Sequence, residues 1–173
     1  MNYLDYIRTI EDWPNPGVSF KDITPLLADA TAFRSAIDDM CAPFASEGIT
    51  KIFGAEARGF FFGTAMAYAL GAGFIPARKK GKLPGRTLGE EYTLEYGTAI
   101  IEVHKDDVAP GDRILIVDDV LATGGTAEAK LHLIDKLDAE LIGFSFFLEL
   151  DFLKGREVLE AYGKPLHSLL RFE

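Results

Sequence analysis

The sequence predicts an α/β fold with a central, mostly parallel sheet flanked by helices. Three observations lead there. Apolar runs at residues 51–55, 113–117 and 141–150 have the unbroken character of strands buried on both faces. Segments of helical period follow the earlier two, so strand and helix alternate along the chain. No low-complexity tract, repeat or linker interrupts the 173 residues, which read as one domain, 1–173.

The elements follow in order. Residues 5–11 have helix-compatible spacing, which Trp13-Pro14-Asn15-Pro16-Gly17 ends. Residues 18–25 read as extended or turn. Residues 31–47 read as a helix, with Phe33, Ile37, Met40 and Phe44 three or four apart, and Pro43 shortens its end. A short strand at 51–55 runs into Glu56-Ala57-Arg58-Gly59. A helix follows from about residue 60 to 70, closed by Gly71, with Phe60, Phe61 and Phe62 read as core packing. The next strand is 74–77. Residues 78–89, basic and punctuated by glycine, read as a mobile loop between it and strands at 92–96 and 99–104. After the buried strand at 113–117 comes a helix at about 125–137, with Leu131, Ile134 and Leu137 apolar, and then the strand at 141–150.

Composition narrows the function classes. With 48% apolar and 26% charged residues, the chain can bury a core without disulfides or a structural metal. Its one cysteine, Cys41, allows no intrachain disulfide, suits a reducing cytosol, and reads as a small buried residue. Residues 1–6 lack the features of a signal peptide, and no window approaches the ~20 apolar residues of a membrane span. The expectation is a cytoplasmic protein with no membrane partner. A net charge of −9 disfavours nucleic acid, whose phosphates call for Lys and Arg. Arg78, Lys79, Lys80, Lys82 and Arg86 nevertheless cluster within nine residues, which points to a small anionic ligand. His104, His132 and His167 are scattered, read as structural or surface residues, and suggest no zinc site.

The chemistry concentrates in Val117-Asp118-Asp119-Val120-Leu121-Ala122-Thr123-Gly124-Gly125-Thr126. Two carboxylates at the exit of a buried strand are costly unless they meet hydroxyls, a cation or water. Ribose hydroxyls are suitable partners. The small residues from Ala122 to Thr126 let backbone N–H groups converge on a phosphate, and the helix that follows adds its partial positive charge. Thr123 and Thr126 can donate through their hydroxyls. No Lys follows the glycines, so this is not a Walker loop.

This segment resembles the phosphoribosyl-pyrophosphate motif of type I phosphoribosyltransferases. The resemblance implies that fold, with a small hood and a basic flap. It implies that Asp118 and Asp119 hold the ribose hydroxyls, and that Ala122, Thr123, Gly124, Gly125 and Thr126 hold the 5-phosphate. Relatives that only bind the ligand carry the motif too, so it does not name the base.

Three further segments resemble adenine phosphoribosyltransferases. Residues 14–25 match the family's base-lining stretch, within a hood of about 13–27. Alone, Phe20 would be an aromatic beside a turn; by resemblance it stacks on the purine, and backbone groups of Ser19 and Lys21 read its edge. Serine at 19 departs mildly from the family's usual apolar residue. Residues 54–60 match the pyrophosphate loop, with Ala57 and Arg58 on the anion and a cis peptide often joining that pair. Residues 78–97 match the catalytic flap, with Arg78, Lys79 and Lys82 on pyrophosphate. Leu94-Glu95-Tyr96-Gly97 is its most diagnostic part, with Glu95 on the N7 side of the base as acid or base. Residues 148–156 resemble the C-terminal stretch, where Leu150 covers the second face of the base.

The implied reaction joins adenine to phosphoribosyl pyrophosphate, giving AMP and pyrophosphate in purine salvage. Arg58 and Glu95 are the catalytic candidates. Mg²⁺ is expected on substrate oxygens and water, with no protein metal ligand. The family implies a homodimer. Rival readings are an enzyme for hypoxanthine, guanine or xanthine, and a ligand-sensing regulator on the same fold.

Overall fold

A computed structural model describes residues 1–93 and 97–173. Its centre is a seven-stranded sheet in the order β5-β6-β4-β3-β7-β8-β9. The strands are β3 (Lys51–Ala55), β4 (Gly73–Lys79), β5 (Thr87–Thr93), β6 (Thr98–His104), β7 (Arg113–Leu121), β8 (Glu140–Leu150) and β9 (Leu166–Phe172). β4, β3, β7, β8 and β9 are parallel neighbours. β5 and β6 form an antiparallel ribbon joined to β4 at Arg78↔Glu102 and Lys79↔Ile101. A separate hairpin pairs β1 (Arg8–Ile10) with β2 (Phe20–Asp22).

Helices cover both faces, which is why the central strands read as continuous apolar runs. α1 (Thr24–Ala28), α2 (Ala30–Cys41) and α3 (Gly59–Leu70) lie on one side, and α4 (Gly125–Lys136) on the other. Alternation along β7 divides its side chains: Leu115 and Val117 pack with Met40, Phe62 and Met66, while Ile114 and Ile116 pack with Leu133 and Ile134 of α4. α5 (Gly155–Glu160) connects β8 to β9.

Local chemistry sets several boundaries. Asp29 caps α2, accepting from the N–H groups of Thr31 and Ala32 at 3.0 and 2.9 Å. α2 stops at Cys41, and Pro43 falls in a 3-10 turn beyond it, as the proline predicts. Gly71 closes α3 at φ 66°, a left-handed geometry that favours glycine.

Four expectations need correction. Residues 8–10 are a strand rather than part of a helix, because β2 supplies a distant partner. Thr24 and Pro25 open a helix instead of continuing an extended segment. The basic loop is shorter than 78–89, since β4 runs through Lys79 and β5 starts at Thr87. Phe61 is 46% exposed on the outer face of α3, whereas Phe62 is fully buried. Cys41 is buried, and burial beside Asp38 pushes its thiol up to about 11.

Candidate active site

The carboxyl ends of β3, β4 and β7 meet at a cleft of about 320 Å³, the place where parallel α/β sheets bind ligands. Ala57, Arg58, Lys79, Asp118, Asp119, Ala122, Thr123, Gly124 and Thr126 line it, so residues from three distant segments converge. Gly125 lies at the first turn of α4.

The acidic pair is held asymmetrically. Asp118 Oδ2 accepts from Lys130 Nζ at 2.9 Å, and its Oδ1 accepts from the Asp119 N–H at 3.1 Å. Asp119 Oδ2 lies 2.8 Å from Arg58 Nε, yet neither this oxygen nor Arg58 Nη1 has a well-aligned hydrogen-bond partner among the described residues. Burial, then the Asp118 charge, push the Asp119 carboxyl up to about 7, against the pull of Arg58. Lys130 is a functional candidate that the sequence reading missed. Its signal was its position: it falls on the inner stripe of α4 between Ala127 and Leu131, where a lysine needs a buried partner.

Gly124 takes φ 88° at the turn from β7 into α4. Behind this turn sits Gly155, where a Cβ would come within 2.2 Å of the Ala122 carbonyl oxygen. A second glycine is equally constrained: a Cβ on Gly59 would fall 2.4 Å from Asp118 Oδ1. Both let neighbouring backbone approach the site closely.

The loop at 54–60 differs in one detail from expectation. The cis peptide joins Glu56 to Ala57, one bond earlier than Ala57-Arg58. Glu56 accepts from the Lys79 N–H at 2.7 Å and from Arg78 Nε at 2.9 Å. Burial acts to raise its carboxyl, but these two donors outweigh burial and hold it below the ordinary range. Arg78 is thereby engaged beside the cleft, with Nη1 donating to the Lys82 carbonyl at 3.2 Å. Lys82 is exposed on the turn, and neither residue is part of the cleft wall.

On the hood, Phe20 packs edge-on against Trp13 at 4.5 Å, and the Arg58 guanidinium lies over its ring at 5.1 Å. Ser19 is exposed, and its hydroxyl donates to Glu11. Lys21 Nζ lies 5.0 Å over the Phe172 ring. Leu150 packs with the α2–α3 core rather than lining the cleft. Glu95 lies outside the described residues.

A parallel sheet with this loop and acidic pair at its carboxyl edge defines a phosphoribosyltransferase, and the phosphoribosyl transferase domain family matches residues 20–164. The adenine phosphoribosyltransferase of Roseobacter denitrificans is 54% identical over 98% of this chain and 96% of its own. The crystal structure of the Rhodothermus marinus enzyme of that name superposes with a TM-score of 0.93 at 50% identity, covering 98% of this chain and 96% of that one. That of the Saccharomyces cerevisiae enzyme, complexed with adenine and an imino-altritol bisphosphate, gives 0.89 at 38% identity over 96% of each chain. The chain belongs to the adenine phosphoribosyltransferases, which are pentosyl-transferring enzymes.

Proposed function

We propose that the cleft transfers the phosphoribosyl group of phosphoribosyl pyrophosphate to N9 of adenine, giving AMP and pyrophosphate. One observation carries this: the Asp118-Asp119 pair and the 122–126 loop line the same cleft as Ala57, Arg58 and Lys79. Sugar, phosphate and diphosphate thus find suitable partners within one donor's length. The adenine bound in the yeast relative supports the choice of base.

Asp118 and Asp119 accept from the ribose hydroxyls. Backbone N–H groups and hydroxyls from Ala122, Thr123, Gly124, Gly125 and Thr126 take the 5-phosphate at the head of α4. The C1–O bond to pyrophosphate breaks, the N9–C1 bond forms, and N9 loses its proton. Arg58, the Ala57 backbone and Lys79 neutralise the departing anion. Phe20 stacks on the base, backbone groups of Ser19 and Lys21 read its edge, and Glu95 assists proton movement.

Magnesium fits this site as a cation carried on the donor's diphosphate, where it would neutralise charge on the leaving group. Carboxylates at the cleft floor, one with an oxygen free of aligned donors, can accept from its water shell. Among the described residues no group of three or more His, Cys, Asp or Glu forms a cage.

The reaction would return free adenine to the nucleotide pool, as purine salvage in the cytoplasm. A second copy of the chain would complete a homodimer. Support for that pairing is an apolar patch on the outer face of α3, where Phe61 and Tyr68 are 46% and 92% exposed.

Mixing the protein, magnesium and donor with adenine, hypoxanthine, guanine or xanthine tests the reading. Nucleotide should form with adenine alone, stop on chelation and return with magnesium. Nucleotide from another purine would reassign the base, and turnover in chelator would remove the metal. Glu95→Gln should lower kcat by a larger factor than it raises the KM for adenine; the reverse would make Glu95 a binding group.

A further inference from the structure

We propose that Lys130 is a positioning residue that fixes the Asp118 carboxylate in its ribose-binding orientation. The proposal rests on the ribose-binding reading given above and adds a residue that cannot touch the donor. Lys130 is fully buried on the inner stripe of α4, among Ala127, Leu131 and Ile134. Its ammonium donates to Asp118 Oδ2 at 2.9 Å and toward the Val117 carbonyl at 3.4 Å. A buried ammonium is costly without such partners, so the contact is tightly specified.

The other Asp118 oxygen is constrained as well. It accepts from the Asp119 N–H and lies where only a glycine at position 59 leaves room. Asp118 therefore has one orientation. Asp119 differs, because its partner Arg58 has a side chain 37% exposed and faces the cleft. The pair combines a fixed acceptor with an adaptable one.

The test compares binding of ribose 5-phosphate with that of its 2,3-dideoxy analogue by calorimetry, in wild type and Lys130→Met. Wild type should prefer the hydroxylated sugar. Lys130→Met should shrink that preference by about tenfold, the effect of one misaligned charge-assisted hydrogen bond, while leaving affinity for the dideoxy sugar unchanged. An undiminished preference in Lys130→Met would overturn the proposal and leave the ribose reading intact. A wild type indifferent to the hydroxyls would overturn the ribose reading itself, and the proposal with it. If Lys130→Met does not fold, the substitution is made in Asp118→Asn, where no charge is left unpaired. Acting only through Asp118, Lys130 should then add no further loss of preference; an added loss would overturn the proposal.

Discussion

At the scale of single residues, Asp119 links stability to pH. Burial and the Asp118 charge push its carboxyl up to about 7 in the folded chain, from an ordinary value of 3.8. Between those values the native state binds the extra proton. Its contribution is therefore complete below 3.8, falls as pH rises, and is gone above about 7. His167, pushed down by burial, acts in the opposite sense in part of this window, so the variant must be compared with wild type. Urea midpoints measured at about pH 5 and about pH 8 should differ less favourably to acid in Asp119→Asn than in wild type. Equal pH dependence in the two would refute the raised carboxyl. Much of this residue-level chemistry was legible: paired acids leaving an apolar strand ask for partners. Lys130 is harder to read, because a lysine among apolar residues shows its role only once the partner that Asp118 provides is known. Arg78 and Lys82 show the converse limit, since a run of basic residues reports charge but not which cations a local carboxylate or turn holds aside.

At the scale of elements, the glycine loop at 122–126 depends on what stands behind it. A Cβ on Gly155 would meet the Ala122 carbonyl oxygen at 2.2 Å and the Gly124 nitrogen at 2.9 Å, both of them backbone atoms. Gly155→Ala should cost roughly 1–3 kcal/mol of stability, as overpacking does. It should also raise the KM for the donor while barely changing that for adenine. Thermal unfolding and steady-state kinetics would check both, and unchanged donor KM would show that the loop does not need this support. The sequence made β3, α3, β7, α4 and β8 legible to within a few residues, because burial on one or two faces imposes a period or a run. β1 was misread since all three of its residues are exposed and its pairing depends on β2, beyond the proline-rich turn. β9 is not legible as a strand, because its residues are mostly half-buried and show neither a clean alternation nor an unbroken buried run.

At the scale of the whole molecule, the helix layer that carries Arg58 at one end turns an apolar face outward. Tyr68 at 92% exposure and Phe61 at 46% are unusual for a finished surface. Replacing both with glutamate should convert the proposed dimer into a folded monomer, read by sedimentation velocity with circular dichroism as the control for folding. A wild type that sediments as a monomer would remove the dimer from the account.

β9 brings the last described residues back to the hood. Phe172 lies beneath the Lys21 ammonium and beside Leu150 in register, while Arg171 pairs with Asp151 at 2.9 Å. The cradle for the sugar phosphate draws on residues between β3 and Gly155, but the hood leans on position 172. Shortening the Phe172 side chain would therefore slacken the hood at Lys21 while the glycine-braced end of the cleft stays as it is.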